Sequence, residues 1–493
     1  MQTTKIFLMA ALALMTVACS NDDNDIQTPA ELPAKSEGIP FTATISMGES
    51  ASTRALTENG TTIEATWATG EKVALIYKVS ATTYLKEAEV TPQGDGTATI
   101  STTLEGSPVD DTDVTIVYPY SAVDESTKDV KTNLLASQNG LLTGTGSIAE
   151  KYELRKTTTP AKLKIDGTTA SLKGTVSLTN LNAIFKFTLK DIAGTSDKAA
   201  TEFIVSNASG DVITTVTPAS ATNELYVALP ALAVGTYWFN ATVGGAPYIA
   251  KATVNTATTA GKFYQTQVNM ATIGDYLNKD GSITTTKQAS GANESYAVIA
   301  YVGSVANYFS HFLALALTDA YDGTRTWSDA LTAVGTYAAA HPVTIGSTTY
   351  NTSTTGDTYY DQVASNQSTS SATATAIQTG WRLPSVTDWR YVFDGLGRIK
   401  GGLNLSDGTN AVTPTSPSGV SDGMVYCDGD NGSTLRAAIN TACGNDALQP
   451  FHYWSSSEYT DYSDHAWYYL FYNGKFLWYP KTDFYYVRAV FAY

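Results

Sequence analysis

Two acidic loops carry the side chains best suited to hold a ligand. Residues 455–465 read "SSSEYTDYSDH" and offer Tyr459, Tyr462 and Asp464; residues 427–433 read "CDGDNGS" and offer Asp428 and Asp430. A tyrosine ring presents an apolar face, and a neighbouring carboxylate accepts hydroxyl or amide protons. Together they suit a sugar or a protein epitope. Asp428, Asp430 and Asn431 are also oxygen donors of the kind calcium takes, and the competing reading of that run is a solvated turn. Cys427 and Cys443 form an even pair. A disulfide between them closes a short loop, for about 3 kcal/mol of chain-entropy stabilisation; two buried thiols are the alternative. Catalytic chemistry finds little support. His452 and His465 match no zinc spacing and read as core or rim residues, and no Gly-rich phosphate loop follows a strand.

The elements that position these residues begin with the compartment. The chain has 493 residues, enough for two to four domains. Only 15% are charged, and the formal net charge is −16. That composition, rich in Thr, Ser, Gly and Tyr, fits a β-rich extracellular protein. An acidic chain without a basic block repels phosphate backbones, so no nucleic-acid partner is expected. The opening, "MQTTKIFLMAALALMTVACS", has Lys5, an apolar run over residues 6–18 and a small residue before Cys19. This is an export signal over 1–18, too short to span a bilayer as a mature helix. The cysteine placement resembles a bacterial lipoprotein lipobox, departing from it at Thr16. The resemblance implies a lipid on Cys19 and an outer-membrane anchor; an ordinary signal peptide with an incidental cysteine is the plainer reading. "SNDDND" resembles the acidic export tag of surface lipoproteins of Bacteroidota. Residues 19–38, polar, proline-bearing and aperiodic, form the lipidated tether.

From Pro40 to about Met270, short segments such as "FTATIS", "KVALIYKV", "AIFKFTLK" and "GTYWFNATV" alternate apolar and polar residues between Gly, Asn, Asp and Pro. This is the antiparallel strand pattern, and it predicts two β-sandwiches, 39–165 and 166–270. "PFTATI", "STRALT", "ATWATGEKVALIYK" and "AGKFYQTQVNM" occur in that order. They resemble the fimbrillin family of Bacteroidales pilins. The resemblance implies lipoprotein export and assembly by strand donation: an Arg-specific protease removes the first strand, and a neighbouring subunit's strand fills the groove. Arg54 stands at the processing position and Ala55 would become the new N-terminus; a solvated loop arginine is the alternative. Losing a strand leaves unpaired N–H and C=O groups, which a donated strand repairs.

Residues 271–493 change character. Six of the eight Trp and all four His lie there. "TWSDALTAVGTYAAA" predicts a helix with Ser328 as N-cap, and "LPSVTDWRYVF" another with Ser385 and Asp388 as a capping box. Residues 401–449 read as loop. "HAWYYLFY", Asn473-Gly474 and "KFLWY" predict a hairpin. Both faces of that hairpin are bulky, so most of its aromatics, Trp467 and Trp478 among them, are expected in a core. The order of "IGDYLNKDGS", "TWSDAL", "GWRLPSVTDW", "YWSSSEYTDYSDHAWYYLFYNG" and "YVRAV" is similar to a bacterial branch of the C-type-lectin-like fold. "GWRLPSVTDW" also resembles the sulfatase-activating branch, but no catalytic pattern surrounds the cysteine pair. The calcium motifs of sugar-binding lectins are absent.

The expected fold is therefore mainly β: two fimbrillin-like β-sandwiches, then an α+β C-type-lectin-like domain. The expected function is a cell-surface fimbrial subunit at the pilus tip. It would accept a donor strand from other pilus subunits and bind a glycan or protein ligand through 271–493. It is not expected to be an enzyme and needs no cofactor beyond the weak calcium candidate. A non-polymerising surface glycan-binding lipoprotein and a cryptic enzyme on the lectin-like fold are the alternatives.

Overall fold

The computed structural model describes residues 38–47, 57–60, 62–64, 67–94, 96–304, 309–353, 361–363, 372–373, 379–400, 424–425, 431–444, 448–459, 462–472 and 474–493. The chain is mainly β, with strands gathered into several sheets.

The first unit is built round β1 (Ile39–Ser46). Its alternation sends Phe41, Ala43 and Ile45 inward while Pro40, Thr42 and Thr44 meet solvent, the period-2 logic of a strand with one buried face. Two short strands, β2 (Thr57–Asn59) and β3 (Thr62–Glu64), form a hairpin. Then come β4 (Lys72–Val79), β5 (Thr82–Pro92), β6 (Thr97–Leu104) and β7 (Asp113–Tyr118). β1 pairs antiparallel with β6 along its whole length, Ile39 opposite Leu104 and Ser46 opposite Thr97. Its other edge lies parallel to Thr169–Leu172 and Val176–Ser177. From β6 the order runs through β5, β4 and β7 to Ala161–Asp166, which pairs back onto Thr169–Leu172. The pairing thus closes on itself, with β1 completing the ring around Val73, Leu75, Ile100, Ile116 and Leu163.

This pairing continues past the expected division at residues 165 and 166. Thr169–Leu172 flanks β1, and Thr179–Asn180 pairs with Arg155–Lys156. Locally the hairpin across Gly167 looks like any turn between domains, but the strand β1 that it joins places it within the first unit. Its partner strand lies far away in sequence.

The second unit orders its strands as Val212–Val216, Ala200–Asn207, Gly235–Val243, Ala246–Val254, Phe263–Thr272, Asn182–Asp191 and Glu224–Pro230. An arm from the first unit joins it. Ser137–Gln138 pairs with Thr215 and Val216. The buried Gln138 amide then donates to the Ala228 carbonyl (2.7 Å) and accepts from its N–H (2.9 Å), imitating a strand neighbour for Glu224–Pro230. Phe263–Thr272 is held on both sides, parallel to Asn182–Asp191 and then antiparallel to Tyr248 and Ile249. It leads directly into the third part of the chain.

The C-terminal part has two six-stranded sheets and three α-helices, α1 (Trp327–Ala340), α2 (Val386–Val392) and α3 (Asn431–Ala442), among the described residues. α1 is capped by Thr326, whose hydroxyl accepts from the Asp329 N–H; the expected cap, Ser328, lies inside the first turn. Ser ranks above Thr as an N-cap, so propensity alone favours Ser328, whereas the backbone turns into the helix at Thr326. α2 has the expected capping box of Ser385 and Asp388. α3 corrects the loop reading over 431–442, since Asn431 opens a helix; residues 427–430 of "CDGDNGS" lie outside the described residues. Its Gly432 lies against the hairpin below: a Cβ there would sit 2.4 Å from the Phe471 carbonyl oxygen. Gly474, with φ of +71°, supplies the left-handed residue of that hairpin turn. One core, including Val298, Leu313, Trp389, Trp467 and Phe491, extends to Trp238 and Ile249 of the second unit.

Candidate functional site

The aromatic sheet consists of His452–Tyr459, His465–Leu470 and Lys475–Pro480, in antiparallel register. One face carries Tyr469 and Phe476, with Phe471 beside them. Phe393, just past α2, packs on it with ring centroids 4.4 Å from Tyr469 and 6.0 Å from Phe476. The other face carries His452, Trp454 and Tyr468, all packed on Tyr485 at 4.7, 4.4 and 4.6 Å. Trp467, Tyr469, Phe471 and Phe476 are fully buried. Most of these aromatics are therefore core, because helix and chain cover the sheet on both sides.

At one end this cover thins. Tyr459 stacks on Trp478, centroids 4.4 Å apart and 4° between planes. Tyr462 lies 5.8 Å from each of them. His465 completes the group, 5.2 Å from Trp478 and 5.4 Å from Tyr462. Only the outermost ring is open: Tyr462 is 54% exposed and Tyr459 4%. The loop beneath is fixed by Lys481, whose Nζ donates to Glu458 Oε1 (2.5 Å) and to the Ser463 carbonyl (2.7 Å). Asp464 points to solvent. Its hydrogen bond with His465 Nδ1 (2.7 Å) holds the carboxyl below the usual range, so it is anionic at neutral pH. An open ring beside an exposed carboxylate can bind an apolar face and its polar edge together.

Three of the sequence candidates are thus brought together, with two corrections. Tyr459 is not a loop contact; it belongs to a strand and is buried under Trp478 and Tyr462. Trp478, read as core, is only partly buried and forms the floor of the open end. Neither assignment was legible locally, since both turn on which ring covers which. Asp428, Asp430 and Cys427 lie outside the described residues, as do Cys19, Arg54 and Ala55. Cys443 is buried just beyond α3, its carbonyl accepting from Lys287 Nζ (3.3 Å). Among the described residues no group of three or more His, Cys, Asp or Glu is placed to hold a metal ion.

The second candidate region is the setting of β1. Phe41, Ala43, Ile45 and Met47 fill the groove between β6 and Thr169–Leu172. At its end the buried Arg155 guanidinium donates to the Met47 carbonyl and pairs with Glu153 at 2.6 Å. Beyond Met47 the chain returns to the described residues at β2. Arg155 and Glu153 carry no pattern that would have marked them in sequence.

No family model matches the chain, and no curated protein matches it. Among solved structures it is similar to a fimbrial protein from Bacteroides ovatus, at 13% identity over 93% of this chain and 99% of that one, with a TM-score of 0.24. It is similar to a candidate cell adhesion protein from Bacteroides uniformis, at 15% identity over 48% of this chain and 98% of that one, TM-score 0.27. It is also similar to a minor pilin from Streptococcus agalactiae, at 11% identity over 47% and 96%, TM-score 0.19. At TM-scores this low the fold rests on the strand pairing described above.

Proposed function

We propose that the chain is a cell-surface fimbrial subunit that accepts a donor strand in place of β1 and binds its target through the C-terminal unit. The setting of β1 carries this reading. It is the chain's first described strand, yet it completes the ring of the first unit, and Arg54 lies in the segment that links it to β2. Cleavage after Arg54 would leave β1 held only by pairing, packing and the Arg155 contact. Its departure would open two edges and an apolar groove, which an extended strand of matching alternation would refill.

The other end of the second unit supports reading the chain as a tip subunit. Phe263–Thr272 is paired with Asn182–Asp191 along most of its length, is flanked by Ile249 and Tyr248 at Ala271 and Thr272, and continues into the C-terminal unit, so it is not free to be donated. We read the C-terminal unit as lectin-like, with Tyr462, Trp478 and Asp464 at its contact surface and a glycan or protein as ligand. A lipid on Cys19 would hold the precursor in the outer membrane.

The test is the N-terminus of the pilus-associated protein. Ala55 is expected as its first residue, and a fluorescent peptide of residues 39–47 is expected to compete with the donor strand. Protein that co-purifies with pili but still begins at Cys19 would be an anchor, and protein that never co-purifies would be a tethered binder. Cys19→Ala is expected to release the precursor from the membrane fraction; retained palmitate labelling would overturn the anchor.

A further inference from the structure

The second unit presents an ordered polar row to the chain that follows the Arg54 segment. Lys186, Tyr226 and Gln265 lie directly opposite one another on three adjacent strands: Lys186 pairs with Tyr226 on one side and with Gln265 on the other. Their neighbours Phe185 and Phe187 point into the core, so the three polar side chains share the outer face. A single carboxylate, Glu58 of β2, satisfies all three. Lys186 Nζ donates to Glu58 Oε2 (3.0 Å) and Oε1 (3.2 Å), Gln265 Nε2 donates to Oε1 (2.8 Å), and the Tyr226 hydroxyl donates to Oε2. Gln265 also donates to the Gly60 carbonyl at the hairpin turn (2.6 Å). The Tyr226 hydrogen bond, joined by Lys186, holds the Glu58 carboxyl below its ordinary value. Lys186 reaches a second carboxylate, Glu224, only at 3.5 Å.

We propose that the Tyr226–Lys186–Gln265 row is a carboxylate cradle whose occupant is Glu58, and that it pins the β2–β3 hairpin to the second unit when β1 leaves. The proposal rests on the strand-exchange reading above. Its logic is one of opposite anchors. The chain before the Arg54 segment is fixed to the first unit through Met47 and Arg155, and the chain after it is fixed to the second unit through Glu58. A cut between them therefore separates two independently held ends. The new N-terminal segment stays on the second unit and does not fold back into the groove that the donor strand must enter. Charge-assisted hydrogen bonds are about twice as strong as neutral ones, which suits a contact that has to persist after the covalent link is cut.

The experiment is hydrogen exchange of residues 57–64 in the full chain, before and after treatment with an Arg-specific protease. Wild type is expected to protect these amides in both states. Glu58→Ala and Lys186→Met are each expected to speed their exchange about tenfold or more, the factor equivalent to 1.4 kcal/mol. Lys186→Arg, which keeps the cation, is expected to restore most of the protection. Equal exchange in wild type and Glu58→Ala before cutting would overturn the cradle. Protection lost in wild type on cutting would overturn its role after β1 leaves. If the protease does not cut at Arg54, the strand-exchange reading fails, while the measurement on the uncut chain still decides whether the cradle holds the hairpin.

Discussion

The imidazole of His311 lies flat on the indole of Trp238, ring centroids 3.6 Å apart and 17° between planes. Trp238 belongs to the second unit and His311 to the C-terminal part, so this contact joins them. Lys251 and Tyr493 close round it: Lys251 Nζ sits 5.5 Å from the Trp238 centroid and 3.1 Å from the Tyr493 hydroxyl. Burial, with Lys251 adding to it, pushes His311 down to about 4 from an ordinary 6.5. The folded protein therefore keeps this histidine neutral where the unfolded chain would protonate it. Stability from this group is complete above pH 6.5 and lost as the pH falls towards 4, by roughly 3 kcal/mol at most. Melting curves across that range are expected to fall more steeply for wild type than for His311→Phe; parallel curves would refute the assignment.

The groove of β1 should be energetically expensive to spoil. Ile45 is fully buried, and Ile45→Ala is expected to cost about 2–5 kcal/mol in urea unfolding. Thr44→Ala, on the exposed face of the same strand, is expected to change stability by about 0.5 kcal/mol or less. Equal effects at the two positions would mean that β1 does not fill a core.

The aromatic sheet should divide into fold and contact residues. Trp467→Ala is expected to cost about 3–5 kcal/mol and to prevent folding of the C-terminal unit. Tyr459→Ala belongs with it, at about 3 kcal/mol, because that ring is buried between neighbours. Tyr462→Ala should stay within about ±0.5 kcal/mol of wild type while abolishing ligand capture on a glycan array probed with the full chain. Undiminished capture by Tyr462→Ala would move the contact surface elsewhere.

Arg382 and Asp388 form a buried pair, with Nη2–Oδ1 at 2.5 Å and Nε–Oδ2 at 3.0 Å, and Asp388 also accepts from the Ser385 N–H. Removing one partner leaves the other charge without compensation. Asp388→Ala is expected to cost about 3–5 kcal/mol in chemical unfolding, well beyond the roughly 1 kcal/mol of an ordinary helix cap. A loss of cap size only would show that Arg382 finds other partners or water.

The cysteine pair is tested without reductant. Mass spectrometry of the folded, exported protein is expected to find Cys427 and Cys443 linked, and two alkylatable thiols would exclude the disulfide.

Sequence by itself determined what depends on neighbours along the chain. The alternation of β1 put Phe41, Ala43 and Ile45 on one face. Ser385 and Asp388, three residues apart, made a capping box, and the composition made the chain mainly β. These features follow from backbone geometry repeating every two or every 3.6 residues. Only the tertiary structure decided what covers each face. It buried Tyr459 beneath Tyr462 and left Trp478 partly open, although both lie in equally aromatic stretches. It extended the first sheet to Asn180, because β1, which flanks Thr169–Leu172, and Arg155–Lys156, which pairs with Thr179–Asn180, both lie more than twenty residues away along the chain. It also set Glu58 on Lys186, Tyr226 and Gln265, across sequence separations of 128, 168 and 207 residues. No local period can encode such contacts, since burial and charge pairing depend on which distant surface arrives.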